Sequence, residues 1–79
     1  MVDRTNDERT MTRSELAGYL QSIATEFDRD GEGIAIDVGN KTVTLSPPEE
    51  VTCEIEVVER SSMLRGERET IDIQLRWKP

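Results

Sequence analysis

The sequence contains no histidine. That removes the usual general base near neutral pH, the commonest metal ligand and any Ser-His or Cys-His nucleophile pair. There is one cysteine, Cys53. It can form no intrachain disulfide, and alone it cannot supply the several nitrogen or sulfur ligands that zinc requires. In the alternating pattern Cys53 falls among apolar neighbours with nothing basic placed to lower its pKa, so it is expected to pack as a small hydrophobe. The aromatics are limited to Tyr19, Phe27 and Trp77, and 34% of residues are hydrophobic, which leaves little material for a buried catalytic cavity. No apolar run approaches the roughly 20 residues of a membrane span. The opening Met1-Val-Asp-Arg-Thr-Asn-Asp7 has no apolar stretch of the kind a secretory signal carries. Gly31, Gly33 and Gly39 make neither a GxGxxG nor a P-loop and read as turns. These absences predict a cytoplasmic protein that is not an enzyme and holds no cofactor or metal.

Positive charge is also scarce. Against 17 acids stand 10 bases, giving a net charge of −7. Lys41 and Lys78 are the only lysines. Nucleic-acid binding depends on Lys and Arg neutralising phosphates, and no basic patch here is free of interleaved acids. Nucleic acid and anionic membranes are therefore not expected partners. A charge this far from zero favours solubility and destabilises the compact state by self-repulsion. Salt screens that repulsion, over about 10 Å at 0.1 M but only about 3 Å at 1 M. A chain of 79 residues buries only about 60% of the surface its unfolded form exposes, so its core is thin. Acid-rich, lysine-poor and thin-cored together point to a salt-adapted protein. The plainer alternative is an ordinary acidic domain.

The apolar residues that are present are strictly patterned. Residues 1–10 are polar and read as a tail or a weak edge strand; residues 11–79 read as a single domain. Leu16, Tyr19, Leu20, Ile23, Ala24 and Phe27 follow helical spacing and predict a helix over 13–29. Thr12-Arg-Ser-Glu15 is a capping box, with Glu15 expected to reach back to the Thr12 N–H, and the cap is worth about 1 kcal/mol. Gly31 is the expected stop. Ile34, Ile36 and Val38 then alternate, Gly39-Asn40 is a two-residue turn, and Val43 and Leu45 continue beyond it. This hairpin sets Ile34 opposite Leu45, Ile36 opposite Val43 and Val38 opposite Lys41. Ser46-Pro-Pro-Glu-Glu50 interrupts the sheet. Two further strands are expected at 51–59 and 68–77, with apolar faces of Val51, Cys53, Ile55 and Val57 and of Ile71, Ile73, Leu75 and Trp77. One register sets Ile55 opposite Ile73 and Glu56 opposite Asp72. Another sets Glu54 opposite Arg76, and charge favours that one. The fold expected is α+β: one amphipathic helix on one face of a mainly antiparallel sheet of four strands, or five with the weak N-terminal strand.

The capped helix with Leu16, Ala17, Leu20 and Ala24, the Pro-Pro-Glu-Glu-Val51 entry and the strands Cys53-Glu-Ile-Glu-Val57 and Ile71-Asp-Ile-Gln-Leu-Arg-Trp77 resemble the amphi-Trp domain family. Its members are small proteins common in salt-loving archaea, and the resemblance covers roughly residues 7–78. Family members tend to have a more apolar strand before the helix, where this chain reads Thr5-Asn-Asp-Glu-Arg-Thr10. The resemblance carries over no activity and no catalytic residues.

Two features suggest function. Trp77 is either the lid of a thin core, with its indole N–H reaching water or a carbonyl, or an anchor in a protein interface. The pairs Glu49-Glu50, Glu54 with Glu56, and Glu67 with Glu69 read as a solvated charged face, or as a site for a divalent cation or small ligand. The function expected is a protein-interaction or self-associating module, its partner another protein or a second copy. The alternative is ligand or cation binding on the acidic face.

Overall fold

The computed structural model describes residues 2–29, 31 and 33–79. Its elements are one helix, α1 (Arg13–Asp28), and four strands, β1 (Ile34–Val38), β2 (Lys41–Leu45), β3 (Thr52–Ser62) and β4 (Gly66–Arg76). The fold is α+β. The strands form two antiparallel two-stranded sheets, β1 with β2 and β3 with β4. The chain divides into two compact units, Met1–Ser46 and Pro47–Pro79.

In the first unit, α1 begins where the cap predicts. Thr12 holds extended backbone and its hydroxyl accepts from the Glu15 N–H at 3.1 Å. The return contact differs from a full capping box. The Glu15 carboxylate accepts from the Thr12 hydroxyl at 3.0 Å rather than from the backbone, because one hydroxyl can accept and donate at once. The helix ends before the expected glycine. Arg29 is already extended, and its N–H reaches the Glu26 carbonyl at 3.3 Å. The last turn carries no base, so the cation at the negative helix end is the capping Arg29. Asp30 and Glu32, on either side of Gly31, lie outside the described residues.

Gly18 sits mid-helix with open space around it; a Cβ there meets nothing within 4 Å. No close approach requires the glycine. Gly18→Ala should therefore stabilise the fold by about 0.5–1 kcal/mol, raising the melting temperature by several degrees. Thermal unfolding followed by circular dichroism at 222 nm checks this, and an unchanged or lowered midpoint contradicts it.

The first hairpin takes the expected register: Ile34↔Leu45, Ile36↔Val43 and Val38↔Lys41. Gly39 has φ +61, and among the described residues no non-glycine has positive φ, which makes Gly39-Asn40 a type II′ turn. The core of this unit centres on Ile34, which is 5% exposed. Ile23, Phe27, Ile36, Val38 and Val43 are half-buried around it.

Residues 2–12 form neither helix nor strand, so the weak edge strand is not made. Their backbone alternates no apolar side chains and has no face to bury. The segment is still placed. Asp7 pairs with Arg9 at 2.7 Å and lies beside Gly39, where a Cβ would come within 3.1 Å of the Asp7 carboxylate.

In the second unit, β3 and β4 are longer than the pattern suggests, because the ladder continues through polar residues to Ser62↔Gly66. The register is Ile55↔Ile73, Val57↔Ile71 and Glu56↔Asp72. This corrects the expectation that charge would set Glu54 opposite Arg76. The turn decides instead. The Ser62 hydroxyl accepts from the N–H groups of Leu64 and Arg65, both at 3.3 Å, and Gly66 supplies φ +78. An exposed ion pair is worth at most about 1 kcal/mol and does not override turn chemistry. The attraction survives on the diagonal, with Arg76 reaching Glu54 at 3.8 Å.

Candidate interaction surface

Alternation along β3 and β4 puts odd-numbered residues on one face and even-numbered residues on the other. The odd face carries Cys53, Ile55 and Val57 against Leu75, Ile73 and Ile71. This face is open. Ile55 and Val57 are each 62% exposed, Ile71 66%, Ile73 53% and Leu75 39%. Cys53 is exposed too, which corrects its reading as a buried packing residue. It sits opposite Leu75 near one end of the hairpin, where two strands alone give no second layer to bury it.

The apolar stripe stops at Glu59↔Glu69. The even face holds Glu54, Glu56 and Asp72 toward the first residues of β3, and Arg60 and Arg68 toward the turn, with half-buried Val58 between them. Three cross-strand pairs are of like charge: Glu56↔Asp72, Glu59↔Glu69 and Arg60↔Arg68. Sequence reading found the first of these and missed that Arg60 and Arg68 coincide, because the first of the two strands was expected to end at residue 59.

Trp77 falls one residue beyond β4. Its ladder position would be opposite Val51, which precedes β3, so the register ends one pair earlier, at Thr52↔Arg76. It is half-buried and borders a shallow hollow of about 550 Å³ with Glu50, Val51, Thr52, Arg76 and Lys78.

In the first unit, α1 runs along the outer edge of β1. The type II′ turn makes Val38↔Lys41 a hydrogen-bonded pair, so the backbone groups of Ala35 and Asp37 point away from β2. The helix meets both residues. Tyr19 donates its hydroxyl to the Asp37 carbonyl at 2.6 Å, and the Glu26 carboxylate accepts from the Ala35 N–H at 2.8 Å. Side chains thereby close part of an edge that another strand could have used. Glu26 stands on the stripe itself, at helical spacing from Tyr19 and Ile23. A carboxylate in an apolar stripe was the available signal for this contact, and sequence reading passed over it.

The Ala35 N–H, aided by Arg29 at 3.2 Å, holds the Glu26 carboxyl below its ordinary value, against a smaller opposing effect of desolvation. A lowered folded-state pKa means that Glu26 stabilises the fold fully above the ordinary value of 4.5. The contribution disappears as pH falls through the lowered folded value. Glu26→Ala should lower the melting temperature at neutral pH, and the gap to the parent chain should close as pH falls below that range. A gap independent of pH would assign the effect to packing.

Beside this clasp lies an open groove of about 590 Å³, bordered by Asp7, Arg9, Met11, Leu16, Tyr19 and Gly39, among others. Its polar groups are mutually engaged: Asp7 with Arg9, and Tyr19 with Asp37. Among the described residues, no group of three or more His, Cys, Asp or Glu side chains is arranged to hold a metal ion. Among them, too, no helix is long and apolar enough to cross a membrane.

A capped helix with two antiparallel hairpins, the second amphipathic and ending at a tryptophan, defines the class as a small α+β domain. The chain belongs to the Amphi-Trp domain family, whose model matches residues 2–79. Searches of curated proteins and of solved structures returned no match.

Proposed function

We propose that the chain is a non-enzymatic protein-interaction module that makes contact through the β3–β4 hairpin. The observation that carries this reading is the open apolar face of Ile55, Val57, Ile71, Ile73 and Leu75. Burying what remains exposed of these five side chains would contribute on the order of 5 kcal/mol. Association costs a comparable amount or more in lost freedom. The face alone therefore supports a weak, reversible contact, and a stable one needs backbone pairing as well. The acidic, lysine-poor composition supports a cytoplasmic setting of high salt, where charge is screened and apolar contacts strengthen.

The test is a photo-crosslinking side chain placed at residue 73 or at residue 74, in native cytosol at native salt. Crosslinks to protein from 73 but not from 74 are expected. Equal yields from the two positions would rule out the apolar face as the contact.

A closed arrangement is the competing reading. In it, α1 covers a single sheet of four strands, with β3 paired to β2. It is favoured by the exposure of Leu16 (44%) and Leu20 (46%) on the helix stripe, which also lacks a full cover. Cation binding on the acidic face has less support. Glu54 is engaged by Arg76, leaving Glu56 and Asp72 as the facing pair. Titration of Ca²⁺, Mg²⁺ and Mn²⁺ against amide NMR shifts should give no localised response there.

A further inference from the structure

The like-charge pairs of the second hairpin work against its own stability, since like charges directly opposite one another destabilise a sheet. Their order along the strands is not random. On the even face an acidic pair, Glu56↔Asp72, and a basic pair, Arg60↔Arg68, flank the row Val58↔Thr70 on either side. Rotation by a half-turn about that row exchanges the acidic pair for the basic one. We infer that β4 pairs antiparallel, edge to edge, with β4 of a second copy, with Thr70 opposite Thr70 and Arg68 opposite Asp72. The inference rests on the interaction-module reading above and names its partner.

In this arrangement the even face carries two rows, each running Glu56, Asp72, then Arg68 and Arg60 of the other copy. Each unfavourable pair of the even face gains an opposite charge at its open side. The ladder would run from Gly66 to Gln74 of each copy. Pairing shifted by two residues either way loses the Arg68–Asp72 match, and a shift by four sets Asp72 against Asp72 or Arg68 against Arg68. The contact is two-fold and self-complementary, as closed dimers require. On the odd face, Glu69 falls beside Ile71 of the other copy. Its methylenes can lie over the isoleucine while the carboxylate stays in water.

The edges of the molecule favour β4. Tyr19 and Glu26 close part of the β1 edge. Thr70, at the centre of the match on β4, is exposed, whereas Val58, at the same place on β3, is half-buried. β4 has β3 on one side only, and its other edge offers unpaired backbone groups. Edge pairing adds backbone hydrogen bonds and leaves the apolar face free.

Sedimentation velocity tests this with Asp72→Arg and Arg68→Asp, each at the lowest KCl that keeps the chain folded. The parent chain should be a concentration-dependent dimer. Each single variant should dissociate about thirtyfold more readily, because two attractive contacts become repulsive. An equimolar mixture of the two variants should dimerise again, since each Arg then faces an Asp. Each variant also turns a like-charge pair within its own hairpin into an opposite-charge pair, at Glu56 in the first and at Arg60 in the second. Its melting temperature extrapolated to low protein concentration should therefore rise, so lost association cannot be attributed to unfolding. A parent chain that stays monomeric over a roughly hundredfold range of concentration overturns the inference while leaving the crosslinking test of the apolar face to decide the broader reading. A dimer kept by both variants but lost in Ile73→Ser also overturns the edge pairing, and would place self-association on the apolar face.

Discussion

Raising KCl from about 0.1 M to about 2 M should lift the melting temperature by roughly 8–16 °C. Two sets of local interactions roughly cancel. Among the described residues, three like-charge cross-strand pairs are relieved by screening, and three ion pairs, Asp7–Arg9, Glu26–Arg29 and Glu54–Arg76, are weakened by it. Each is worth at most about 1 kcal/mol. What remains is the net charge of −7 on a chain of 79 residues. Its self-repulsion acts over the whole molecule and falls as the screening length shrinks from about 10 Å toward 3 Å or less. Relief of about 2 kcal/mol corresponds to roughly 8–16 °C for a domain of this size. Thermal unfolding in KCl and in matched tetramethylammonium chloride separates screening from specific cation binding. Equal rises are expected, and a flat response would contradict a salt-adapted surface.

Gly39→Ala should be the most damaging single methyl addition in the first unit, costing about 2 kcal/mol. Gly39 has φ +61 at the first central position of a type II′ turn, a conformation that side-chain-bearing residues rarely adopt. The new Cβ would also stand 3.1 Å from the Asp7 carboxylate, so the N-terminal segment would have to shift. Gly18→Ala is the internal contrast. It is the same chemical change with open space and helical backbone, and it is expected to stabilise. Denaturant unfolding of the pair should give shifts of opposite sign. A neutral Gly39→Ala would show that the turn relaxes freely and that Asp7 does not hold it.

The contrast between the two hairpins shows how far the residues alone could be read. Around Gly39-Asn40, turn chemistry and alternation specify the same register, and each check supports the other. Around Met63-Leu-Arg65 the turn carries no comparable signature, and the choice fell to charge, the weaker determinant. The Ser62 hydroxyl and Gly66 set that register through backbone contacts with no periodic signal. The same limit applies to the β1 edge. Tyr19 and Glu26 meet backbone groups rather than side chains, and only the three-dimensional turn of the hairpin aims those groups at the helix. Thr12 was readable because capping is local. Trp77 was expected as the last residue of its strand, and its exit from the ladder follows from where β3 begins. The openness of the apolar face was not readable, because alternation identifies an apolar face without identifying what lies over it.

Cys53 offers the most direct measurement of that openness. It shares the apolar face with Ile55 and Ile73, it is exposed, and it is the only thiol in the sequence. Its rate of reaction with a small neutral disulfide reagent in the native chain should lie within roughly tenfold of the rate in denaturant, since no opening step is needed to reach it. Edge pairing of two copies should leave that rate unchanged, while a protein bound to the face should suppress it. Protection by several hundredfold or more in the isolated chain, limited by unfolding, would contradict the account. It would mean that the chain covers its own hairpin, and that the β3–β4 face is core rather than contact surface.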